Sequence, residues 1–194
     1  TEGTVLWEPS AEQEANANIT RYLGWLKDKL GLDFKSYDAL WQWSVTDLEG
    51  FWASVWDFFG VKSHKPYTQV LGQRTMPGAQ WFPGAHLNYA EHALSRNDGH
   101  PAIEFRGESG DVRTLTYIEL NRQVASVAAG LCRLGVTKGD RVAAYLPNIP
   151  EAVVAFLATA SIGAVWSSCS PDFGARNVID RFQQIEPTVL ITVD

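Results

Sequence analysis

The sequence predicts an α/β fold that begins with a helical, tryptophan-rich cap, and three observations carry the prediction. From residue 116 the patterns alternate as helix, strand, helix, strand, helix, strand. Short apolar strands alternating with helices imply crossover connections and a parallel sheet covered on both faces. Residues 1–60 are different: they hold six of the eight tryptophans and show helical spacing. The 194 residues, 45% apolar and 20% charged, suit one domain with an appendage, a globular and not a disordered balance.

The cap reads as helices. Ser10 with Gln13 has the spacing of a capping box. Ala15, Ile19, Tyr22, Leu23, Leu26 and Leu30 then recur at helical intervals, predicting one helix that stops at Gly31. Thr46 with Glu49 predicts a second capping box. Leu48, Phe51, Trp52, Val55, Trp56 and Phe59 follow as a broad apolar stripe that should be buried, with Gly60 as its stop. Residues 61–100 lack periodicity and are punctuated by Pro66, Gly72, Pro77, Gly78, Pro83 and Gly84, up to a short helix at 87–94.

The second half reads more regularly. Residues 102–105 and 112–115 flank Gly107 and Gly110 and predict a hairpin. Thr116 with Glu119 opens a helix through Leu120, Val124, Val127, Leu131 and Leu134, ended by Gly135. Residues 141–146 form a short apolar strand, and Pro150 suits the first turn of the next helix, which runs to about Ile162. Residues 164–168 form a strand, 175–185 a helix and 188–193 a last strand.

Several function classes lose support at this level. The net charge is −6 and no basic run exists, which argues against nucleic acid and anionic membrane as partners. The most apolar window, 152–164, is too short to span a bilayer, and the first residues given carry no basic segment followed by an apolar run, so no signal peptide is expected among them. Cys132 and Cys169 sit in apolar stretches and read as reduced core residues of a cytoplasmic protein. His64, His86, His92 and His100 show no metal spacing, so no metal site is expected. Asn18-Ile19-Thr20 falls inside a helical pattern and reads as a chance glycosylation match. Dinucleotide, phosphate-loop and nucleophile-elbow motifs are missing, and no residue of this segment is expected to be catalytic.

Ligands of open parallel sheets bind beyond the carboxyl ends of the strands. Two loops qualify, 146–150 and 167–174. The second carries Ser167, Ser168, Ser170, Asp172, Phe173 and Gly174 just before a helix. It reads equally as a ligand loop or as an ordinary turn in which Asp172 caps the helix and Gly174 relieves the backbone.

These segments together resemble the adenylate-forming superfamily. The resemblance rests on Leu115-Thr116-Tyr117 with Leu120, on Leu134-Gly135-Val136 with Lys138-Gly139-Asp140-Arg141-Val142, and on Leu146-Pro147-Asn148 with Pro150-Glu151-Ala152. Trp81-Phe82-Pro83-Gly84-Ala85 with Leu87-Asn88-Tyr89-Ala90-Glu91 resembles the lead-in of acetyl-CoA synthetase-like enzymes. Within that group, Gly163-Ala164-Val165-Trp166-Ser167-Ser168-Cys169-Ser170-Pro171-Asp172-Phe173-Gly174, Gln184-Ile185-Glu186-Pro187 and Trp41-Gln42-Trp43-Ser44-Val45 are similar to the acetoacetate–CoA ligase branch.

The resemblance implies residues 1–100 as helical cap and lead-in, and 101–194 as the first part of the AMP-binding domain. It implies ATP, Mg²⁺ and CoA as cofactors and co-substrates, small-molecule substrates, and activation of acetoacetate through an acyl-adenylate. Acetate, propionate or another short acid is the alternative, and a non-catalytic binding or dimerisation module is the alternative of another class. The family's phosphate loop, nucleotide segments and catalytic lysine are not found by Asp194, so the chain is expected to be a truncated, inactive fragment with possible self-association. The resemblance implies a CoA-contact segment at Ser170, Pro171, Asp172 and Phe173, where Ser170, Pro171 and Asp172 stand in place of the Phe-Gly-Gly of acetyl-CoA synthetases.

Overall fold

The computed structural model describes residues 3–193. The chain divides into two compact units, Thr1–His86 and Leu87–Asp194.

In the first unit the Ser10 capping box forms: the Gln13 N–H donates to Ser10 Oγ at 3.2 Å, and the Ser10 N–H donates to Gln13 Oε1 at 2.8 Å. The expected single helix is two helices. α1 (Ala11–Asn16) stops at Ala17, which is extended, and α2 (Asn18–Leu30) restarts after it. The break is covered locally, because Thr20 Oγ1 donates to the Glu14 carbonyl at 2.6 Å. Gly31 ends α2 at φ 70°, a conformation that costs glycine nothing, and its N–H reaches the Lys27 carbonyl at 3.1 Å.

α3 (Tyr37–Thr46) is capped by Ser36, and α4 (Leu48–Phe58) by Asp47, whose Oδ1 accepts the Gly50 N–H at 3.0 Å. The expected Thr46–Glu49 cap does not form. Thr46 is still helical, so its hydroxyl turns back to the Gln42 carbonyl at 2.8 Å, and Asp47 takes the non-helical cap position.

Tyr22, Leu26 and Leu40 form the core of this unit, with Trp25, Phe34, Trp43, Phe51 and Phe58 packed around them. The apolar stripe of α4 is only partly covered. Phe51, Val55 and Trp56 are half-buried, while Trp52 and Phe59 stay exposed. Residues 61–86 cross-link by two antiparallel bridges, Lys65 with His86 and Leu71 with Trp81. Between them Phe82 is held at φ 46°, its ring 4.6 Å from Trp56 and 5.2 Å from Tyr67. A bulky residue in the left-handed region is strained, and here packing on two rings holds it.

The second unit starts with α5 (Tyr89–Ala93), capped by Asn88, which also donates to the Ala160 and Ser161 carbonyls at 3.0 and 3.1 Å. β1 (Pro101–Arg106) and β2 (Val112–Thr116) make the expected antiparallel hairpin. The Thr116–Glu119 capping box then opens α6 (Tyr117–Arg133). β3 (Arg141–Tyr145), α7 (Pro150–Ser161), β4 (Val165–Cys169), α8 (Ala175–Ile185) and β5 (Val189–Thr192) follow in that order. The three strands are parallel in the order β4-β3-β5, so the sheet is parallel as the alternation requires.

β3 is central and its middle residues are buried on both faces. Val142 joins Leu120, Val124, Leu131, Val154 and Leu157 on the face of α6 and α7. Ala143 joins Cys169, Val178 and Phe182 on the face of α8. α5 belongs to the first of these clusters through Ala90, which has no exposed surface. β4 and β5 are the edges, and beside β5 an apolar hollow is lined by Val178, Ile179, Phe182, Pro187 and Leu190. Cys169 is buried as expected, but Cys132 is exposed, because it lies on the flank of α6, off the buried stripe of Leu120, Val124 and Leu131. No helix among the described residues is long and apolar enough to cross a membrane.

Candidate functional site

The site is built where β3 and β4 end. Parallel register pairs Tyr145 with Cys169, the last residues of both strands. The chain then leaves β3 through residues 146–149 and β4 through residues 170–174, each loop feeding a helix. Both predicted loops therefore lie side by side at the carboxyl edge of the sheet, as the topology demands.

The 170–174 loop is a tight turn. The Phe173 N–H donates to the Ser170 carbonyl at 3.1 Å. Ser170 Oγ donates to Asp172 Oδ2 at 2.8 Å, and the Asp172 N–H reaches back to Ser170 Oγ at 3.4 Å. Ser170 and Phe173 are half-buried, while Pro171 and Asp172 are exposed. All four predicted residues thus share one turn, with Pro171 at its exposed tip. Neither part of the ordinary-turn reading holds as expected. Asp172 does not cap α8; the cap residue is Gly174, without a side-chain bond. Gly174 has φ −59°, which any residue adopts, so it relieves no strain.

Two residues that the sequence did not single out hold this turn. The Tyr145 hydroxyl donates to the Pro171 carbonyl at 2.9 Å and to the Phe173 carbonyl at 3.0 Å. The Arg181 guanidinium lies 4.7 Å above the Phe173 ring, which favours it electrostatically. A signal for Tyr145 existed: an aromatic ending a strand whose parallel neighbour ends at the same level. A signal for Arg181 did not, since its partner lies eight residues back in the sequence.

Beside the neighbouring loop an exposed ion pair joins β2 to the start of α7. Arg113 donates to Glu151 at 2.7 and 3.2 Å across the first turn of α7. That bond, ahead of the smaller opposing effect of burial, holds the Glu151 carboxyl below the usual carboxylate range. A carboxylate at a helix N-terminus also meets the positive end of the helix dipole. At the opposite edge, Arg141 Nε donates to the Ile185 carbonyl at 2.8 Å and its Nη2 to the Glu186 carbonyl at 3.0 Å, closing the end of α8.

Elsewhere the first unit has an apolar groove of about 300 Å³ lined by Tyr22, Leu40, Trp41, Phe51, Val55 and Phe58. Among the described residues no three His, Cys, Asp or Glu side chains come together as a metal site. The arrangement at the sheet edge can present a shaped surface to a ligand, with the Pro171 ring and the Asp172 carboxylate exposed on it.

A parallel sheet with its turn at the strand ends, following an aromatic helical region, defines the class. The chain belongs to the AMP-binding enzyme family: residues 90–194 match the family model of that description. Residues 37–93 match the family model described as the acetyl-coenzyme A synthetase N-terminus. More particularly, the chain is similar to a solved structure, the acetoacetyl-CoA synthetase from Streptomyces lividans, with 56% identity and a TM-score of 0.88 over 97% of this chain and 30% of that one. It is 40% identical over 189 residues to the acetoacetyl-coenzyme A synthetase of Rhizobium meliloti (strain 1021), covering 97% of this chain and 29% of that protein. It is 40% identical over 196 residues to the acetoacetyl-CoA synthetase of Macaca fascicularis, with 98% and 29% coverage. The chain therefore spans about three-tenths of the length of these relatives.

Proposed function

We propose that this chain is the N-terminal part of an ATP-dependent synthetase that converts acetoacetate, ATP and CoA to acetoacetyl-CoA, AMP and pyrophosphate through an acyl-adenylate. The observation that carries the reading is the 56% identity and 0.88 TM-score to an acetoacetyl-CoA synthetase across 97% of the chain. The chemistry is coherent: an acyl-adenylate is a mixed anhydride, and AMP leaves readily when a thiol attacks. Such a reaction needs cations placed at the phosphates and a shielded site. In this reading ATP and Mg²⁺ are held by the family's phosphate loop and nucleotide segments, which do not occur in these 194 residues.

In this reading residues 1–100 serve as helical cap and lead-in, and residues 101–194 begin the AMP-binding domain. The turn at Ser170, Pro171, Asp172 and Phe173 faces CoA, with Ser170 and Pro171 as the surface. Its place at the strand ends and the exposed ring of Pro171 fit a contact role. The substrates are small molecules, the compartment is the cytoplasm, and the Trp-rich surface offers a route to self-association.

The test is to assay the full-length protein for acetoacetate-dependent ATP–pyrophosphate exchange and for CoA thioester formation. Acetoacetate is expected to support both better than acetate or propionate do. The 194-residue chain alone is expected to show background exchange only. Preference for acetate or propionate would overturn the substrate assignment, and exchange by the isolated chain would overturn the division of labour.

A further inference from the structure

We propose that Tyr145 is the positioning residue of the 170–173 turn, setting its shape for the thiol-accepting half-reaction through the phenolic hydroxyl. The inference rests on the reading above, that this turn meets CoA. Tyr145 ends β3, and its ring packs half-buried on the cluster of Ala143, Cys169, Val178 and Phe182. Packing therefore fixes the ring, and the hydroxyl projects from it to a single place. There one O–H is shared between two carbonyls, Pro171 at 2.9 Å and Phe173 at 3.0 Å, on either side of Asp172.

The turn's own bonds, Phe173 N–H to Ser170 carbonyl and Ser170 Oγ to Asp172, close it on itself. They give the turn its curvature, while Phe173 packs on the α8-side cluster with the Arg181 guanidinium over its ring. The Tyr145 hydroxyl ties the two middle carbonyls back to the central strand. It turns both carbonyls toward the sheet, which leaves the ring of Pro171 outermost. Because the hydroxyl proton is already committed to backbone acceptors, Tyr145 acts on a ligand through the turn and not by proton transfer.

The experiment compares Tyr145→Phe with Pro171→Trp in the full-length protein. Tyr145→Phe removes one oxygen and keeps the packed ring. An ordinary hydrogen bond corresponds to roughly three- to tenfold in affinity, so the KM for CoA is expected to rise by about that factor. Acetoacetate-dependent ATP–pyrophosphate exchange, which precedes thiol attack, is expected to stay within about twofold. Amide hydrogen exchange should accelerate at residues 172–174 and remain unchanged in β3. If Pro171→Trp raises the KM for CoA but Tyr145→Phe does not, Tyr145 is not a positioning residue. If neither variant changes the CoA dependence, the turn does not meet CoA and both readings fall. Equal loss in both half-reactions, or faster exchange throughout the sheet, would make Tyr145 a structural residue only.

Discussion

The buried pair Tyr22–Ser54 allows a stability prediction with an internal control. Ser54 lies on α4 with 2% of its surface exposed, and Tyr22 on α2 with 6%. Ser54 Oγ already donates to the Phe51 carbonyl at 2.6 Å, so in the 2.5 Å contact the Tyr22 hydroxyl is the donor. Ser54→Ala leaves that hydroxyl buried without its acceptor, at a cost of about 1–3 kcal/mol. Tyr22→Phe removes the donor and leaves the Ser54 hydroxyl with its Phe51 bond, at a cost of about 1 kcal/mol. Once Tyr22 is Phe, Ser54→Ala strands nothing, so the double variant should cost less than the sum of the singles by about 1 kcal/mol. Six of the eight tryptophans lie in residues 1–60, so tryptophan fluorescence during urea unfolding reports this unit selectively. Burial raises the Tyr22 pKa above 10.0, outweighing the opposite effect of the Ser54 bond. The unfolded chain therefore ionises first, and the contribution of Tyr22 to stability is complete below pH 10 and declines above it. Tyr22→Phe should flatten that alkaline decline. Strict additivity of the two substitutions, or an alkaline profile unchanged in Tyr22→Phe, would refute the reasoning.

Other outcomes follow from the same geometry. Thr116→Ala should cost about 1 kcal/mol, a fall of ~2–4 °C in melting temperature, through loss of the α6 cap. Glu119 is held below its ordinary pKa of 4.5 by the Thr116 N–H and then by the Thr116 hydroxyl, so its stabilising effect is present above pH 4.5 and is lost as pH falls through the lowered value; an acid titration of wild type against Glu119→Gln checks the sign. Pro171→Trp in the full-length protein should raise the KM for CoA and spare ATP–pyrophosphate exchange, whereas equal loss in both half-reactions would make the turn structural. The 194-residue chain alone should associate or aggregate in size-exclusion chromatography, because β5 presents an open strand edge beside an apolar hollow; a monodisperse monomer would count against this.

Local signals were strong wherever a single turn of chain decides the outcome. The Ser10 and Thr116 capping boxes, Pro150 at the first position of α7 and the stops at Gly31 and Gly135 all depend on residues within four positions of one another. The alternation after residue 116 was enough for a parallel sheet, because strands joined through helices have no other short way to pair. The break at Ala17 was not legible, since alanine is a good helix former and nothing in its neighbours forbids continuation. The cap at Asp47 was missed for a related reason: Thr46 and Asp47 are both capping residues, and the extent of α3 decides between them.

The sequence by itself determined the class of fold, the strands and helices of the second half, and the loop after β4. It did so because backbone periodicity, caps and the proline–glycine punctuation act over short separations, whereas the choice of Ser170, Pro171, Asp172 and Phe173 within that loop came from the family resemblance. Tertiary structure decided what no local rule carries. It left Phe59 exposed and Trp52 only partly covered on a stripe that sequence alone would bury, because burial depends on the area of the opposing surface. It put Cys132 outside and Cys169 inside, although both sit among apolar neighbours in sequence. It also brought the Tyr145 hydroxyl to the carbonyls of Pro171 and Phe173, 26 and 28 residues away. That contact exists because parallel register sets Tyr145 opposite Cys169, and register belongs to the assembled sheet rather than to either strand.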